Sequence, residues 1–384
     1  MTLKRYSNVK SAAKQELCFG GIYMEKQVYV QRQKKVGKLL ALAKLDALVV
    51  CSRASVRYLS GFSGDDSWLV LFGRKAKLIT DSRYAEQSQK ECQNCQIISR
   101  PGPMSEAIAK VLAKLGKDKV IGVEDIIQVR QFDALRKKLP GKLKKTSGIV
   151  EKIRQIKDAN EVRSIVKAGK IADEVLSKVL AKVRVGMTES EIAGAIDFEF
   201  RKRNVTNSFE TIVAFGPNGS MAHHIPGSKK LKKNDCLLID FGAVYNGYCC
   251  DITRCFAVGK AGKSYAQSYR AVFEAQAAAI AVIKDGAKIA DVENAAKNVL
   301  KKYKLPLYGH GTGHGLGLEV HESPAVSSRI CDTLKTGQVI TIEPGVYLPG
   351  KFGIRLEDDI LVTKTGAKAL TKRLTKSDTP VLKI

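Results

Sequence analysis

One stretch of the 384-residue sequence decides the fold of the C-terminal half: residues 237–254 read LLIDFGAVYNGYCCDITR. Asn246-Gly247 stands between two runs of strand-forming residues, and this dipeptide suits the positive φ angles of a type I′ turn. The stretch therefore predicts a β-hairpin in which Tyr245 pairs with Tyr248 across a two-residue turn.

This hairpin brings two acidic residues together. With Tyr245 opposite Tyr248, Asp240 lies opposite Thr253, and Asp251 is two residues along the same strand as Thr253. Side chains alternate between the faces of a strand, so both carboxylates point to one side. A single aspartate would more often make a turn or surface contact, but an unpaired carboxylate buried in so apolar a strand is costly. A metal ion would relieve both the burial and the repulsion.

The five histidines of the chain are concentrated in two short stretches. Residues 309–322 read GHGTGHGLGLEVHE and contain His310, His314 and His321, and the other two histidines are His223 and His224. The alternating glycines disfavour a helix, so we expect extended or looped backbone that approaches a ligand closely. A lone histidine is more often structural, but this concentration favours a functional site.

Two glutamates complete the candidate set, and each follows an apolar, strand-like run. Glu343 comes directly after Val339-Ile340-Thr341-Ile342, and Glu357 comes two residues after Arg355. Arg355 and Glu357 share a face by strand parity, so the guanidinium could orient carboxylates that bind a metal. An exposed Arg355–Glu357 pair would be the alternative if the other ligands were missing.

The order Asp, Asp, His, Glu, Glu in these contexts resembles the pita-bread metallopeptidases, a superfamily with methionine aminopeptidase, Xaa-Pro aminopeptidase, prolidase and creatinase. The resemblance covers about residues 30–375. It implies an α/β creatinase-like N-terminal domain, as in Xaa-Pro aminopeptidases and prolidases, followed by an α+β pita-bread catalytic domain. It also implies two divalent metal ions, with Mn²⁺ favoured over Co²⁺, Fe²⁺ or Zn²⁺.

The same resemblance implies the metal ligands: Asp240, Asp251 and Glu357 bind one ion, His314 and Glu343 bind the other, and Asp251 and Glu357 bridge the two. The ions would share a water and lower its pKa, so that a bridging hydroxide attacks the peptide carbonyl.

The catalytic roles follow from the resemblance as well. Glu343 would pass a proton to the departing amine. His223 and His321 would contact the scissile carbonyl or the oxyanion, His310 would shape the proline pocket, and Arg355 would orient the metal-binding carboxylates. The family often has Leu-Pro-His where this chain has Met221-Ala222-His223, and His224 receives no role.

Three functions follow as hypotheses. We expect a dinuclear-metal aminopeptidase that hydrolyses the N-terminal Xaa-Pro bond of a proline-containing peptide. Prolidase, an Xaa-Pro dipeptidase, is the alternative, but it must hold the free carboxylate of proline, and Arg355 is already assigned to the metal ligands. Non-catalytic relatives that bind nucleic acids or histones have lost metal ligands, whereas all five are present here.

A change of pattern near residues 149–158 divides the chain. We expect an extension without a core pattern at 1–28, the creatinase-like domain at 29–155 and the metallopeptidase domain at 156–384. In the first domain the predicted strands are Ala47–Val50, Trp68–Phe72 and Lys77–Thr80. In the second domain, Asp158 with Glu161 and Thr188 with Glu191 form capping-box patterns that predict two helix starts. Gly186-Met187-Thr188 and Gly286-Ala287-Lys288 hint at two similar halves.

Composition excludes several classes of protein. The net charge is +27, but the basic residues are scattered and mostly lysine, which predicts solvated faces rather than a specific nucleic-acid site. No stretch approaches the ~20 apolar residues that span a bilayer. Nine cysteines without a signal peptide indicate a reducing compartment. We expect a cytoplasmic homodimer with no membrane partner.

Overall fold

A computed structural model describes residues 26–260, 262–372 and 378–383. The first helix, α1, begins at Lys26, so it includes the last three residues of the stretch 1–28 that we assigned to an extension. The remainder of that stretch, residues 1–25, lies outside the described residues. Tyr29, Arg32, Val36 and Leu40 form the buried side of α1, with the spacing of three and four residues that an amphipathic helix requires.

The N-terminal domain alternates strands and helices, as its sequence pattern predicts. Its elements are α1 (Lys26–Leu42), β1 (Ala47–Val50), α2 (Arg53–Ser60), β2 (Trp68–Phe72), β3 (Lys75–Thr80), α3 (Ala85–Glu91), β4 (Gln96–Ser99), α4 (Met104–Leu112), β5 (Val120–Glu124), α5 (Val129–Lys138) and β6 (Lys142–Thr146). They form one mixed sheet of order β4-β3-β2-β1-β5-β6, in which β2 runs antiparallel to its neighbours. Apolar clusters cover both faces of this sheet, since Leu48 and Val50 join one cluster and Ala47 and Val49 join the other.

A short helix, α6 (Glu151–Arg154), leads into the larger C-terminal domain. The first half of this domain contains α7 (Ala159–Leu180), α8 (Glu189–Lys202), β7 (Thr206–Asn207), β8 (Ile212–Phe215), β9 (Cys236–Phe241), β10 (Ala243–Tyr245), β11 (Tyr248–Cys249) and β12 (Ile252–Val258). The second half contains α9 (Lys263–Ala281), α10 (Ile289–Lys302), β13 (Gly313–Gly315), β14 (Glu322–Val326), β15 (Val339–Ile342), β16 (Gly345–Leu348), β17 (Phe352–Arg355), β18 (Asp358–Val362) and β19 (Ala367–Ala369). A last strand, β20 (Val381–Leu382), pairs with β12.

The two halves repeat one arrangement. Strand order is β20-β12-β9-β8 in the first sheet and β14-β13-β15-β18-β19 in the second. Gly186 and Gly286 both have positive φ, 95° and 79°, just before α8 and α10. Thr188 and Lys288 then cap these helices, and each also forms an isolated β-bridge. The faint sequence echo at these positions therefore reflects two structurally similar halves.

Local sequence signals explain the helix starts in the first half. Asp158 accepts hydrogen bonds from the backbone N–H groups of Asn160 and Glu161, while the Glu161 carboxylate accepts from the N–H of Asp158. Thr188 and Glu191 repeat this exchange at α8. Both predicted capping boxes are confirmed.

Charged residues join the N-terminal domain to the C-terminal domain. Arg32 of α1 contacts Asp158 at 3.0 Å and Glu161 at 3.3 Å, and its guanidinium stacks over Tyr58. Glu161 in turn accepts a hydrogen bond of 2.9 Å from the Tyr248 hydroxyl, at the turn of the predicted hairpin. The N-terminal domain is thus tied to the strands that carry the candidate ligands.

Across the described residues, no helix is long and apolar enough to cross a membrane.

Candidate active site

The hairpin forms in the predicted register. Tyr245 pairs with Tyr248, and Asp240 lies opposite Thr253. Asn246 and Gly247 have φ angles of 52° and 83°, the positive values that this tight turn requires. At Gly242, an added Cβ would lie 2.0 Å from the carbonyl oxygen of Cys250, so only glycine fits where the two strands approach most closely.

The second half of the domain supplies the other candidate ligands. His314 lies in β13, Glu343 directly follows β15, and Glu357 stands between β17 and β18. His314 is extended rather than helical, as its glycine neighbours predict.

Donor atoms from both halves converge at one place. One donor atom each of Asp251, His314 and Glu357 lie within 4.8 Å of one another. His314 Nε2 is 3.6 Å from Asp251 Oδ2 and 3.6 Å from Glu343 Oε1. Asp240 is joined to the cluster through Arg355, whose Nη2 donates to Asp240 Oδ2 at 2.5 Å.

The donor set fits a metal cation. His314 Nδ1 lies 3.1 Å from the carbonyl oxygen of Gly315, which can only accept, so Nδ1 carries the proton and the lone pair of Nε2 faces the carboxylates. Burial also lowers the pKa of His314 to about 4, which keeps the ring neutral near pH 7. Within the described part of the chain, Asp240 Oδ1 and Asp251 Oδ1 are buried without a hydrogen-bond partner. The lone pairs of these two oxygens have no hydrogen-bond donor, and a bound cation would satisfy them.

The electrostatics support the same conclusion. Burial raises the pKa of Asp251 and of Glu357 well above the usual range, and the neighbouring carboxylates raise both further. Burial raises the pKa of Glu343 to about 8. Protein groups alone thus leave these carboxylates poorly stabilised as anions, and a divalent cation would supply the missing positive charge.

Arg355 holds three partners from the inner side of the cluster. Besides Asp240, Nε donates to Thr253 Oγ1 at 3.2 Å and Nη1 donates to the Tyr347 hydroxyl at 2.8 Å. Thr253 Oγ1 in turn donates to Glu357 Oε2 at 2.6 Å, so Arg355 also orients Glu357 through Thr253. The alternative of an exposed Arg355–Glu357 pair is therefore excluded, since both residues are buried and Arg355 acts on Asp240.

The histidines surround this cluster. His310 Nδ1 donates to the carbonyl of Gly311, so Nε2 accepts from the Tyr347 hydroxyl at 3.0 Å. His310 Nδ1 also lies 3.9 Å from Glu343 Oε2. The His321 ring packs edge-on against His314, with 4.3 Å between ring centroids.

The remaining two histidines lie on the loop after β8. His223 is exposed. His224, which had no role among the sequence-based assignments, has its Nε2 2.8 Å from the carboxylate of the buried Glu189.

Tyr347, Thr253 and Glu189 were not among the candidate residues. Tyr347 and Thr253 contact Arg355 within the cluster, and Glu189 binds the segment that carries His223. Thr253 could have been predicted from the sequence, because the hairpin register puts it opposite Asp240. Tyr347 meets His310 across 37 residues of sequence, and Glu189 takes partners 26 to 38 residues away, so no local pattern marks these contacts.

Comparison with known proteins agrees with this geometry. Residues 163–364 match Metallopeptidase family M24, and residues 32–156 match the Creatinase/Prolidase N-terminal domain. The chain belongs to metallopeptidase family M24. It is 35% identical over 342 residues to an uncharacterized peptidase of Bacillus subtilis (strain 168), and the match covers 88% of this chain and 97% of that protein.

Solved structures give the same result. An Xaa-Pro dipeptidase from Bacillus anthracis has 32% sequence identity and a TM-score of 0.88, covering 92% of this chain and 100% of that chain. An X-Pro aminopeptidase from Thermotoga maritima MSB8 has 31% identity and a TM-score of 0.83, covering 90% and 99%. The predicted creatinase-like domain followed by a pita-bread catalytic domain is confirmed. As an M24 metallopeptidase, the protein is a hydrolase of a family that uses divalent metal ions.

Proposed function

We propose that this M24 peptidase hydrolyses Xaa-Pro dipeptides with the help of two divalent metal ions. The observation that carries the proposal is the convergence of Asp251, His314 and Glu357, with donor atoms within 4.8 Å of one another. The substrate class is supported by the similarity to an Xaa-Pro dipeptidase over nearly the whole of both chains.

The ligand set supports two ions rather than one. Four carboxylates and one imidazole, from Asp240, Asp251, His314, Glu343 and Glu357, offer more donor atoms than one ion needs. Oxygen-rich sites with a single nitrogen suit hard or borderline ions, and we propose Mn²⁺. When bound, such ions lower the pKa of a water molecule and polarise a peptide carbonyl.

Glu343 is the carboxylate that we assign to proton transfer. Its side chain is 17% exposed, against 7% for that of Asp251, so it faces the side from which a peptide approaches. His310 lies beside it at 3.9 Å. A carboxylate in this place can take a proton from the attacking water and give it to the amine of the leaving proline.

The histidines would then bind the peptide. His321 is exposed beside His314, and His223 is exposed on its loop, so both can donate to a carbonyl oxygen or to the oxyanion that replaces it. His310 is half-buried, stacked on Tyr308 and edge-on to Tyr347, and these rings offer an aromatic surface suited to the ring of proline.

A second candidate, Xaa-Pro aminopeptidase, is favoured by a specific observation. All three nitrogens of the Arg355 guanidinium are engaged, by Thr253, Tyr347 and Asp240. Three of its five N–H donors are thus committed to neighbouring side chains, which leaves fewer for the free carboxylate of a dipeptide, a group that a longer peptide does not present at this position.

Two further expectations remain proposals. We propose a homodimer, which light scattering of the purified protein would test. We also propose a cytoplasmic location, which is supported by free thiols at all eight cysteines of the described residues.

The deciding experiment compares rates on an Xaa-Pro dipeptide, an Xaa-Pro-Yaa tripeptide and a Met-Ala peptide. Chelated protein should be inactive and should recover with Mn²⁺, reaching full rate near two ions per chain. Preference for the dipeptide supports prolidase, and preference for the tripeptide supports aminopeptidase. Preference for the Met-Ala peptide, or full activity in metal-free protein, would contradict the proposal.

A further inference from the structure

We propose that Glu189, which lies outside the metal cluster, is a positioning residue that fixes the loop 216–227 and, through it, His223. The loop joins β8 to the segment before β9 and passes the N-terminus of α8. This inference rests on the proposed function, because that function assigns His223 to the substrate.

Glu189 makes an unusually complete set of contacts. It is the first residue of α8, and its side chain is fully buried. Its Oε1 accepts from the Phe215 N–H at 2.8 Å and from Asn218 Nδ2 at 2.9 Å. Its Oε2 accepts from His224 Nε2 at 2.8 Å and from the Gly227 N–H at 3.1 Å. One carboxylate therefore ties the chain before the loop, inside it and at its end.

The ionised state of Glu189 agrees with these contacts. Burial by itself would raise its pKa, but the donors from His224, Phe215, Asn218 and Gly227 hold the pKa of the carboxyl below its usual range. A carboxylate can only accept hydrogen bonds, so His224 Nε2 is the donor in that pair. Charge-assisted hydrogen bonds of this kind are stronger than neutral ones.

Apolar packing does not hold the outer part of the loop. Met221 is 51% exposed and Ile225 is 78% exposed, on either side of the exposed His223. A segment with so little buried apolar surface gains little from the hydrophobic effect. Its conformation must depend on polar contacts. Beyond His223, the contacts of His224 Nε2 and the Gly227 N–H both end on Glu189. The neighbouring Ser190 hydroxyl donates to the carbonyl oxygens of Pro226 and Gly227 at 3.0 and 3.1 Å.

The near side of the loop is held by backbone packing against the site. A Cβ added at Gly353 would lie 1.7 Å from the carbonyl oxygen of Gly219, so the loop and β17 touch backbone to backbone. Gly353 is two residues before Arg355, which binds Asp240. The loop thus meets the active site at one end and Glu189 at the other, with His223 between them.

The contact between Gly219 and Gly353 places the loop beside the strand that carries Arg355. His223 follows Gly219 by four residues, so the side chain that Glu189 positions lies on the loop that borders the site. A small displacement of the loop would change where its imidazole meets the peptide.

The first test is the nearly isosteric change Glu189→Gln. The amide nitrogen of glutamine is a donor, so it would face His224 and the Gly227 N–H, which are donors too, and the loop would lose that anchor. A misplacement of about 1 Å in a catalytic group can cost about 100-fold in rate, and we expect kcat/KM on the Xaa-Pro peptide to fall by about that factor. The matched control is Glu191→Gln, two residues along the same helix, where glutamine keeps the capping box. We expect the control to retain the wild-type rate.

The second test asks whether Glu189 acts through His223. In a double-mutant cycle, Glu189→Gln should cause little further loss once His223→Ala has removed the imidazole. Multiplicative losses in the double variant would overturn the proposal, because they would mean that Glu189 acts on the site by a different route.

A third measurement is independent of activity, so it separates this inference from the proposed function. Amide hydrogen exchange of residues 215–229 should be faster in Glu189→Gln than in Glu191→Gln, with unchanged Mn²⁺ stoichiometry in both. If wild-type protein cleaves no Xaa-Pro peptide, the proposed function fails, but this exchange experiment still tests the anchor. Unchanged exchange in Glu189→Gln would overturn it.

Discussion

The first half of the catalytic domain, residues 159–258, and the second half, residues 263–369, both place two helices before an antiparallel sheet. The first half packs α7 and α8 on its sheet around one apolar cluster, and the second packs α9 and α10 on its sheet around another. The side chains that reach the site differ. The first half contributes Asp240 and Asp251, whereas the second contributes His314, Glu343 and Glu357. A repeated scaffold therefore builds one asymmetric site.

Hydrogen bonds across the two halves show that neither half completes the site. Arg355 of the second half binds Asp240 of the first, and Thr253 of the first binds Glu357 of the second. The backbone N–H of Asp251 donates to Asp359 Oδ2 at 3.2 Å. Candidate metal ligands of each half are thus positioned by the opposite half, and substitutions in both halves can test this comparison.

The largest effect should come from removing a carboxylate of either half. Asp251→Asn and Glu357→Gln should each abolish metal-dependent thermal stabilisation and activity. A ligand at 100 times its Kd adds about 2.7 kcal/mol to the free energy of unfolding, and both variants should lose this gain. Thermal unfolding with and without Mn²⁺ measures it. Metal-free Asp251→Asn should be at least as stable as metal-free wild type, because one repelling charge is gone.

If only one of these variants lost the response to Mn²⁺, the ligands would belong to one half, and the comparison would be wrong.

The next effect concerns Glu343, which we assign to proton transfer as well as to the ligand set. Glu343→Gln should lower kcat by about 10²–10⁴-fold, the usual contribution of general acid–base catalysis. Because glutamine keeps the shape of the side chain, circular dichroism and the unfolding transition should stay close to wild type. A near-normal kcat would show that another group moves the proton.

Arg355 gives a smaller effect that reports on the link between the halves. Arg355→Lys keeps the charge, but lysine cannot reach Asp240, Thr253 and Tyr347 at once. Loss of a group that orients metal ligands typically costs about 10–100-fold in metal affinity or activity. Isothermal titration with Mn²⁺ measures the affinity directly. An unchanged affinity would mean that Asp240 is held without the second half.

The sequence predicts the strands that carry the candidate ligands, because short-range rules determine these strands. Asn246-Gly247 sets the hairpin register, and the register alone puts Asp240 opposite Thr253. The alternating glycines likewise predict that His314 is extended. These inferences need only turn geometry and the period of a strand, which are local properties.

The residues that the sequence did not reveal act over long separations. Glu189 takes its partners from residues 215–227, and Tyr347 of β16 joins Arg355 of β17 to His310, which lies in the loop before β13. Nothing near Glu189 distinguishes it from an ordinary acidic residue in the first turn of a helix. Such roles arise only when the sheets are assembled, so local patterns could not predict them.

We expect the two halves to lose stability in acid for the same reason. Each half has a buried glutamate on its second helix that anchors a loop: Glu189 in the first and Glu293, which binds the Ser328 N–H and Lys297, in the second. Burial alone would raise both pKa values, but the hydrogen bonds lower them below the usual 4.5. The stability that they contribute is therefore present above pH 4.5 and is lost as the pH falls through the folded pKa.

Urea unfolding of Glu189→Gln and Glu293→Gln at a series of pH values tests this. Each variant should be less stable than wild type at pH 7, and the difference should shrink below pH 4.5. A difference that stayed constant with pH would show that the carboxylates contribute through shape and not through charge.

The smallest effect concerns the helix starts, where the halves differ in sequence but not in backbone. Thr188 caps α8 with its side chain, whereas Lys288 stands at the same place before α10 with extended backbone and no side-chain cap. Lys288→Ser should therefore raise the free energy of unfolding by about 1 kcal/mol, and Thr188→Ala should lower it by about as much. Urea unfolding of both variants measures these changes. If Thr188→Ala loses stability while Lys288→Ser gains none, the start of α10 does not need a side-chain cap. The isolated β-bridges would not explain that difference, because Thr188 pairs with Lys230 just as Lys288 pairs with Thr333.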